Sequence, residues 1–190
     1  MITVRQVSKL HFIDIYWLYD DGGLTLLVPY ILSQRKRWKN FQLRVFVIID
    51  KMSNETVITE QNVSELLEKF RVEYYDIIVL ELPEKSYYRR IEDIIESLSH
   101  DLCSSSSDTN ELAISFQQYQ DSTNKYVALR ELLEEHSKYS QLIVMTIEIP
   151  RKDNLSAHIF MYWLDMLSIE MPEFLFIRGN QTNCLTIYID

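Results

Sequence analysis

The amino-acid sequence predicts an α/β fold: a mostly parallel sheet flanked by helices on both faces and finished by a C-terminal antiparallel hairpin. Three observations carry that expectation. Short runs rich in β-branched and aromatic residues alternate with longer segments of helical spacing, the order expected of strand–helix–strand units. One run, LRVFVII at residues 43–49, is apolar and continuous, which suits a central strand covered on both faces. The chain has 190 residues, 47% apolar and 25% charged, with three glycines and four prolines, so it can bury one sizeable core.

Residues 1–11 are mixed and polar and read as a flexible lead-in to a single α/β domain over residues 12–190. FIDIYW at 12–17 is the first strand. It leads through Asp20, Asp21, Gly22 and Gly23 into an apolar segment predicted to be helical from about residue 22 to residue 38. An aspartate at that turn can accept hydrogen bonds from the free N–H groups of the first helical turn, and the glycines let the backbone bend sharply. Pro29 inside the segment predicts a kink, or a helix that starts nearer Leu26. Arg35, Lys36, Arg37 and Lys39 fall at the other end, where cations suit the negative end of the helix dipole.

Strand 43–49 is followed by a polar loop, MSNET, and by a helix over 59–71 with Val63, Leu66, Leu67 and Phe70 on one face and Thr59 as its cap. A third strand at 76–82 is stopped by Pro83. Residues 87–98 carry helical spacing through Ile91, Ile94, Ile95 and Leu98, and the CSSSSD run at 103–108 reads as a mobile loop near residues 100–110. A longer helical region spans 110–136, with Val127, Leu129, Leu132 and Leu133 as its apolar face. QLIVMTIEI at 141–149 is the fourth strand and 157–169 the next helix. Two short strands close the chain at 174–178 and 184–189, and their connection, holding Gly179 and Asn180, suits a hairpin.

The net charge of −9 argues against a nucleic-acid partner, because phosphate binding needs a basic face. Cys103 and Cys184 are far apart and give neither a disulfide framework nor a metal-binding spacing, so reduced, cytosolic thiols are expected. The longest apolar run, 24–32, is broken by Thr25 and Pro29 and falls short of the roughly 20 residues a membrane helix needs. No membrane span is expected, and MITVRQVSKLHF has no secretory-signal core.

The turn Asp20-Asp21-Gly22-Gly23 occupies the place where phosphates settle in doubly wound folds. Two carboxylates there would repel a pyrophosphate, and neither GxGxxG nor GxxxxGK[ST] is present, so the four residues read as a structural turn and no cofactor is assigned. His11, His100, His136 and His158 are scattered over different elements, and no metal site is assigned to them. His158 reads as a core histidine, and Asp165 as an exposed carboxylate or a partner of Arg151 or Lys152. With no GxSxG elbow and no convergent titratable pair, neither catalytic nor metal residues are assigned, and no enzyme is expected. Ser104, Ser105, Ser106 and Ser107 are candidate phosphorylation positions. The basic cluster at 35–39 reads as a solvated helix end, with anionic lipid or an acidic partner surface as the functional alternative.

Four segments together resemble one family: DIYWLYDDGGLTLLVPYILSQRKRWKNFQLRVFV, ALRELLEEHSKYSQLIVM, MYWLDMLS and FLFIRGNQTNCLTIYI. In that order they are similar to the cytosolic carboxy-terminal region of the cation-chloride cotransporters. WLYDDGGLTLL followed by a basic helix end is closer to the sodium-potassium-chloride branch. The resemblance implies a non-catalytic regulatory and assembly domain, the second subdomain of that region, at the cytoplasmic face of a membrane. Its implied partners are a second copy and the membrane domain of the same transporter, which carries out the transport of sodium, potassium and chloride. The serine-rich stretch and MSNETV depart from the family's loops. The runner-up reading is a nucleotide-sensing domain resembling the universal stress proteins, with its ligand at the ends of the parallel strands.

Overall fold

A computed structural model describes residues 11–19, 21–49, 60–83, 119–147, 155, 157–179, 182 and 184. Asp20, the predicted loop at 52–56, the predicted helix at 87–98, the serines at 104–107 and most of the last predicted strand lie outside the described residues. The elements in chain order are β1 (His11–Trp17), α1 (Leu24–Ser33), β2 (Phe41–Ile49), α2 (Glu60–Lys69), β3 (Asp76–Glu81), α3 (Gln120–His136), β4 (Leu142–Thr146), α4 (Ala157–Ser168) and β5 (Glu173–Ile177).

The strands form one sheet in the order β3-β2-β1-β4-β5, and every neighbouring pair is parallel. The chain winds outward from β1 to β3, then returns to lay β4 and β5 on the other side. That doubly wound order makes β1 the centre, with Ile15 opposite both Val45 on β2 and Val144 on β4. The last five residues of β1 are all buried, as a strand covered on both faces requires.

Side chains alternate between the two faces of the sheet and so build two cores. On one face Ile13, Ile15, Val45, Val47 and Val144 pack with Leu26 of α1 and with Val63 and Leu67 of α2. On the other, Tyr16, Phe46, Ile143 and Met145 pack with Leu129 and Leu133 of α3 and Leu167 of α4. A smaller cluster of Val127, Ile159, Trp163 and Met166 joins α3 to α4, with Trp163 Nε1 donating to Thr123 Oγ1 at 3.2 Å.

Two expectations need correction. First, α1 stops at Ser33, not Trp38, and residues 34–40 form turns. β2 begins at Phe41, with Trp38 packed at 4.7 Å on its ring, so the chain must reverse within that stretch and cannot stay helical. The four cations at 35–39 therefore stand beyond the helix, whose last turn carries none. Second, α1 starts at Leu24, upstream of the Leu26 start that Pro29 suggested, and buries Pro29 in its interior. β5 pairs in parallel with β4, and the antiparallel hairpin expected after it is not shown among the described residues. The second arm of the expected hairpin lies outside the described residues except for Cys184, whose N–H donates to the Gly22 carbonyl at 2.8 Å.

Candidate functional site

In a doubly wound sheet, ligands settle at the carboxyl ends of the strands where the winding direction reverses, here between β1 and β4. Asp21 stands at that point with no exposed surface. Its Oδ1 accepts from the Gly23 N–H at 3.1 Å, and its Oδ2 accepts from the Thr25 N–H at 3.0 Å and the Thr25 hydroxyl at 2.6 Å. The carboxylate thus takes the first-turn donors of α1 that a phosphate would need. Gly22 and Gly23 have φ of 79° and 82°, conformations that favour glycine, and Gly23 is the residue that opens the helix.

The chain after β5 closes over this turn. A Cβ on Gly179 would sit 2.0 Å from the Asp21 carbonyl oxygen, so only glycine permits the approach. The Tyr19 hydroxyl donates to the Ile147 carbonyl, and the Leu18 N–H donates to Thr146 Oγ1 at 3.0 Å, tying the ends of β1 and β4 together. Geometry and charge at this end oppose an anionic nucleotide.

The other residues marked in the sequence do not converge. His11 stacks on Phe41 at 5.2 Å, with its Nδ1 buried and unpaired. His136 ends α3, its Nε2 4.0 Å from Glu135. The side chain of His158 lies outside the described residues, as do His100, Arg151, Lys152 and the four serines. Asp165 is exposed on α4. No group of three or more metal-ligating side chains occurs among the described residues.

Sequence reasoning missed the buried polar groups behind α3. Arg44, inside an apparently apolar strand, is bonded to the buried Asp14 and to the His136 carbonyl at 3.2 Å, and lies 4.4 Å from the Phe12 ring centre. Tyr16 stacks on Phe46 at 4.6 Å and shares a 2.8 Å hydrogen bond with Ser137. Burial pushes the Tyr16 hydroxyl above its ordinary range, partly opposed by that bond. Arg130 Nη1 donates to the carbonyls of Met166, Leu167 and Ile169, closing the end of α4. A charged residue at an inward strand or helix position was the available signal.

At the amino ends of the strands lies an open groove of about 660 Å³. Trp38, Phe41 and Met171 give it apolar lining, Arg37 and Lys138 supply cations, and Glu170 and Glu173 supply carboxylates.

Comparison with known proteins completes this picture. The model of the family described as Solute carrier family 12 matches residues 1–189. The chain is 38% identical over 192 residues to the bumetanide-sensitive sodium-(potassium)-chloride cotransporter of Manduca sexta, a match covering 99% of this chain and 18% of that protein. It is 35% identical over 192 residues to solute carrier family 12 member 1 of Homo sapiens and to member 2 of Homo sapiens, with 93% of this chain covered in each case and 17% and 16% of those proteins. The chain spans less than a fifth of the length of these relatives. No helix among the described residues is long and apolar enough to cross a membrane. From the match along nearly its whole length, the chain belongs to solute carrier family 12.

Proposed function

We propose that this chain is a non-catalytic regulatory and assembly domain of a sodium-(potassium)-chloride cotransporter, placed on the cytoplasmic side of the membrane. Residues 12–190 act as one α/β domain, supporting chloride-coupled cation transport by a membrane part and associating with a second copy. One observation carries the reading: nearly all of the chain aligns with less than a fifth of a protein named as a sodium-(potassium)-chloride cotransporter, and the described residues form a helix-flanked sheet in which no helix is fit to span a bilayer. The sealed carboxyl end of the sheet supports a role through protein contacts in place of a bound nucleotide. The serines at 104–107 are candidate regulatory phosphorylation positions within it.

A chimera tests the reading. The matching segment of the Manduca sexta cotransporter is replaced by this chain, and chloride-dependent cation uptake is measured beside surface abundance. The expected chimera reaches the surface and keeps the ion dependence of its host, with a changed maximal rate. A changed ion dependence, or no uptake from a chimera at full surface abundance, contradicts it.

A further inference from the structure

Because all five strands are parallel, the four connections entering β2, β3, β4 and β5 gather at one end of the sheet. They are residues 34–40, 70–75, 137–141 and 169–172. Together they carry six cations, Arg35, Lys36, Arg37, Lys39, Arg71 and Lys138, against two carboxylates, Glu73 and Glu170. On a chain of net charge −9 this is a local reversal of sign. All six cations are exposed, and none forms an ion pair among the described residues.

The same connections hold half of the large apolar side chains that the described structure exposes: Tyr75 at 54%, Tyr139 at 88% and Ile169 at 63%. The carbonyl ends of the helices also point this way and attract cations. That attraction does not account for the exposed apolar groups, and the cluster at 35–39 lies beyond the last turn of α1.

The charges are spread over separate protruding turns, and the groove between them is lined by Glu170 and Glu173 as well as by cations, so the pattern does not converge on one anion. A broad surface of distributed negative charge with an apolar layer beneath it is the complement of such a face. We propose that this end of the sheet docks on a membrane surface bearing anionic lipid headgroups. The cations face the headgroups, and Tyr75, Tyr139 and Ile169 seat among them at the level where amphipathic rings settle. The physiological meaning rests on the reading of the chain as part of a membrane transporter, while the binding itself does not.

The test is cosedimentation of the full 190-residue chain with vesicles of phosphatidylcholine and phosphatidylserine in roughly a 3:1 ratio, against vesicles of phosphatidylcholine alone. Binding is expected only to the mixed vesicles, weakening as salt rises. Each of Lys36→Gln and Lys39→Gln should lower partitioning about fivefold, and the pair roughly 25-fold. Tyr139→Ala should weaken binding further without changing its salt dependence, and Lys125→Gln on α3 should leave binding unchanged. Three results would overturn the proposal: no binding to mixed vesicles, equal losses in K125Q and K36Q, or retention of a polyglutamate peptide without retention of vesicles. Failure here alongside a working chimera removes the docking surface and leaves the cotransporter reading intact.

Discussion

Asp14 and Arg44 are register partners on β1 and β2, joined by a 2.8 Å bond from Nε to Oδ1 and a 2.7 Å bond from Nη2 to Oδ2. Asp14 has no exposed surface and Arg44 little. A charge pair in the middle of a sheet fixes which residues of the two strands face each other, since a one-residue slip would bury both charges unpaired.

Breaking that pair from one side should be costly. Arg44→Ala leaves the Asp14 carboxylate buried without a cation, and a loss of about 3–5 kcal/mol is expected in urea unfolding. The double variant Asp14→Leu/Arg44→Met should recover most of it. A single variant within about 0.5 kcal/mol of the parent would show that the pair is not what holds the register.

The fold was legible because its strands are written in composition: LRVFVII and QLIVMTIEI can only be comfortable when covered on both faces. Asp21, Gly22 and Gly23 turn the chain into α1, and aspartate and glycine are the residues such turns need. What escaped depends on partners distant in sequence. Arg44 reads as a blemish in an apolar strand until β1 places Asp14 beside it, and Arg130 reads as a solvated helix charge until the end of α4 arrives beneath it. The overlong α1 has the same origin, since Leu24 to Trp38 has ample apolar residues for a helix and only the docking of Trp38 on Phe41 demands the turn.

At the carboxyl end, Gly179→Ala should lower stability by about 1–3 kcal/mol, because the added carbon meets the Asp21 backbone and cannot be relieved by rotating a side chain. Asp21→Ala should cost about 1–2 kcal/mol by removing the acceptor for the first turn of α1. Urea midpoints check both, and a neutral G179A would contradict the closure of the chain over the turn.

Arg130→Met preserves much of the stem but strips three carbonyls of their donor, and a loss of about 1.5–3 kcal/mol is expected. Amide exchange should quicken at residues 166–169 before it does in β1. Uniform quickening throughout the protein would argue that Arg130 acts through global packing and not at the end of α4.

Alkaline pH should destabilise the fold through Tyr16. Burial raises its folded pKa above the unfolded value, so its contribution is intact below about pH 10 and lost as the pH rises past it. Tyr162, raised by burial as well, adds the same sign. Stability should fall above about pH 10 by at most ~1.4 kcal/mol per pH unit per group, and Tyr16→Phe should flatten that slope. An unchanged slope in Y16F would assign the alkaline loss elsewhere.

Sedimentation velocity of the purified 190-residue chain over a wide concentration series tests the assembly role most directly. A reversible shift from monomer to dimer is expected as concentration rises, with a dissociation constant that depends on this chain alone. A single monomeric boundary at every concentration would contradict it.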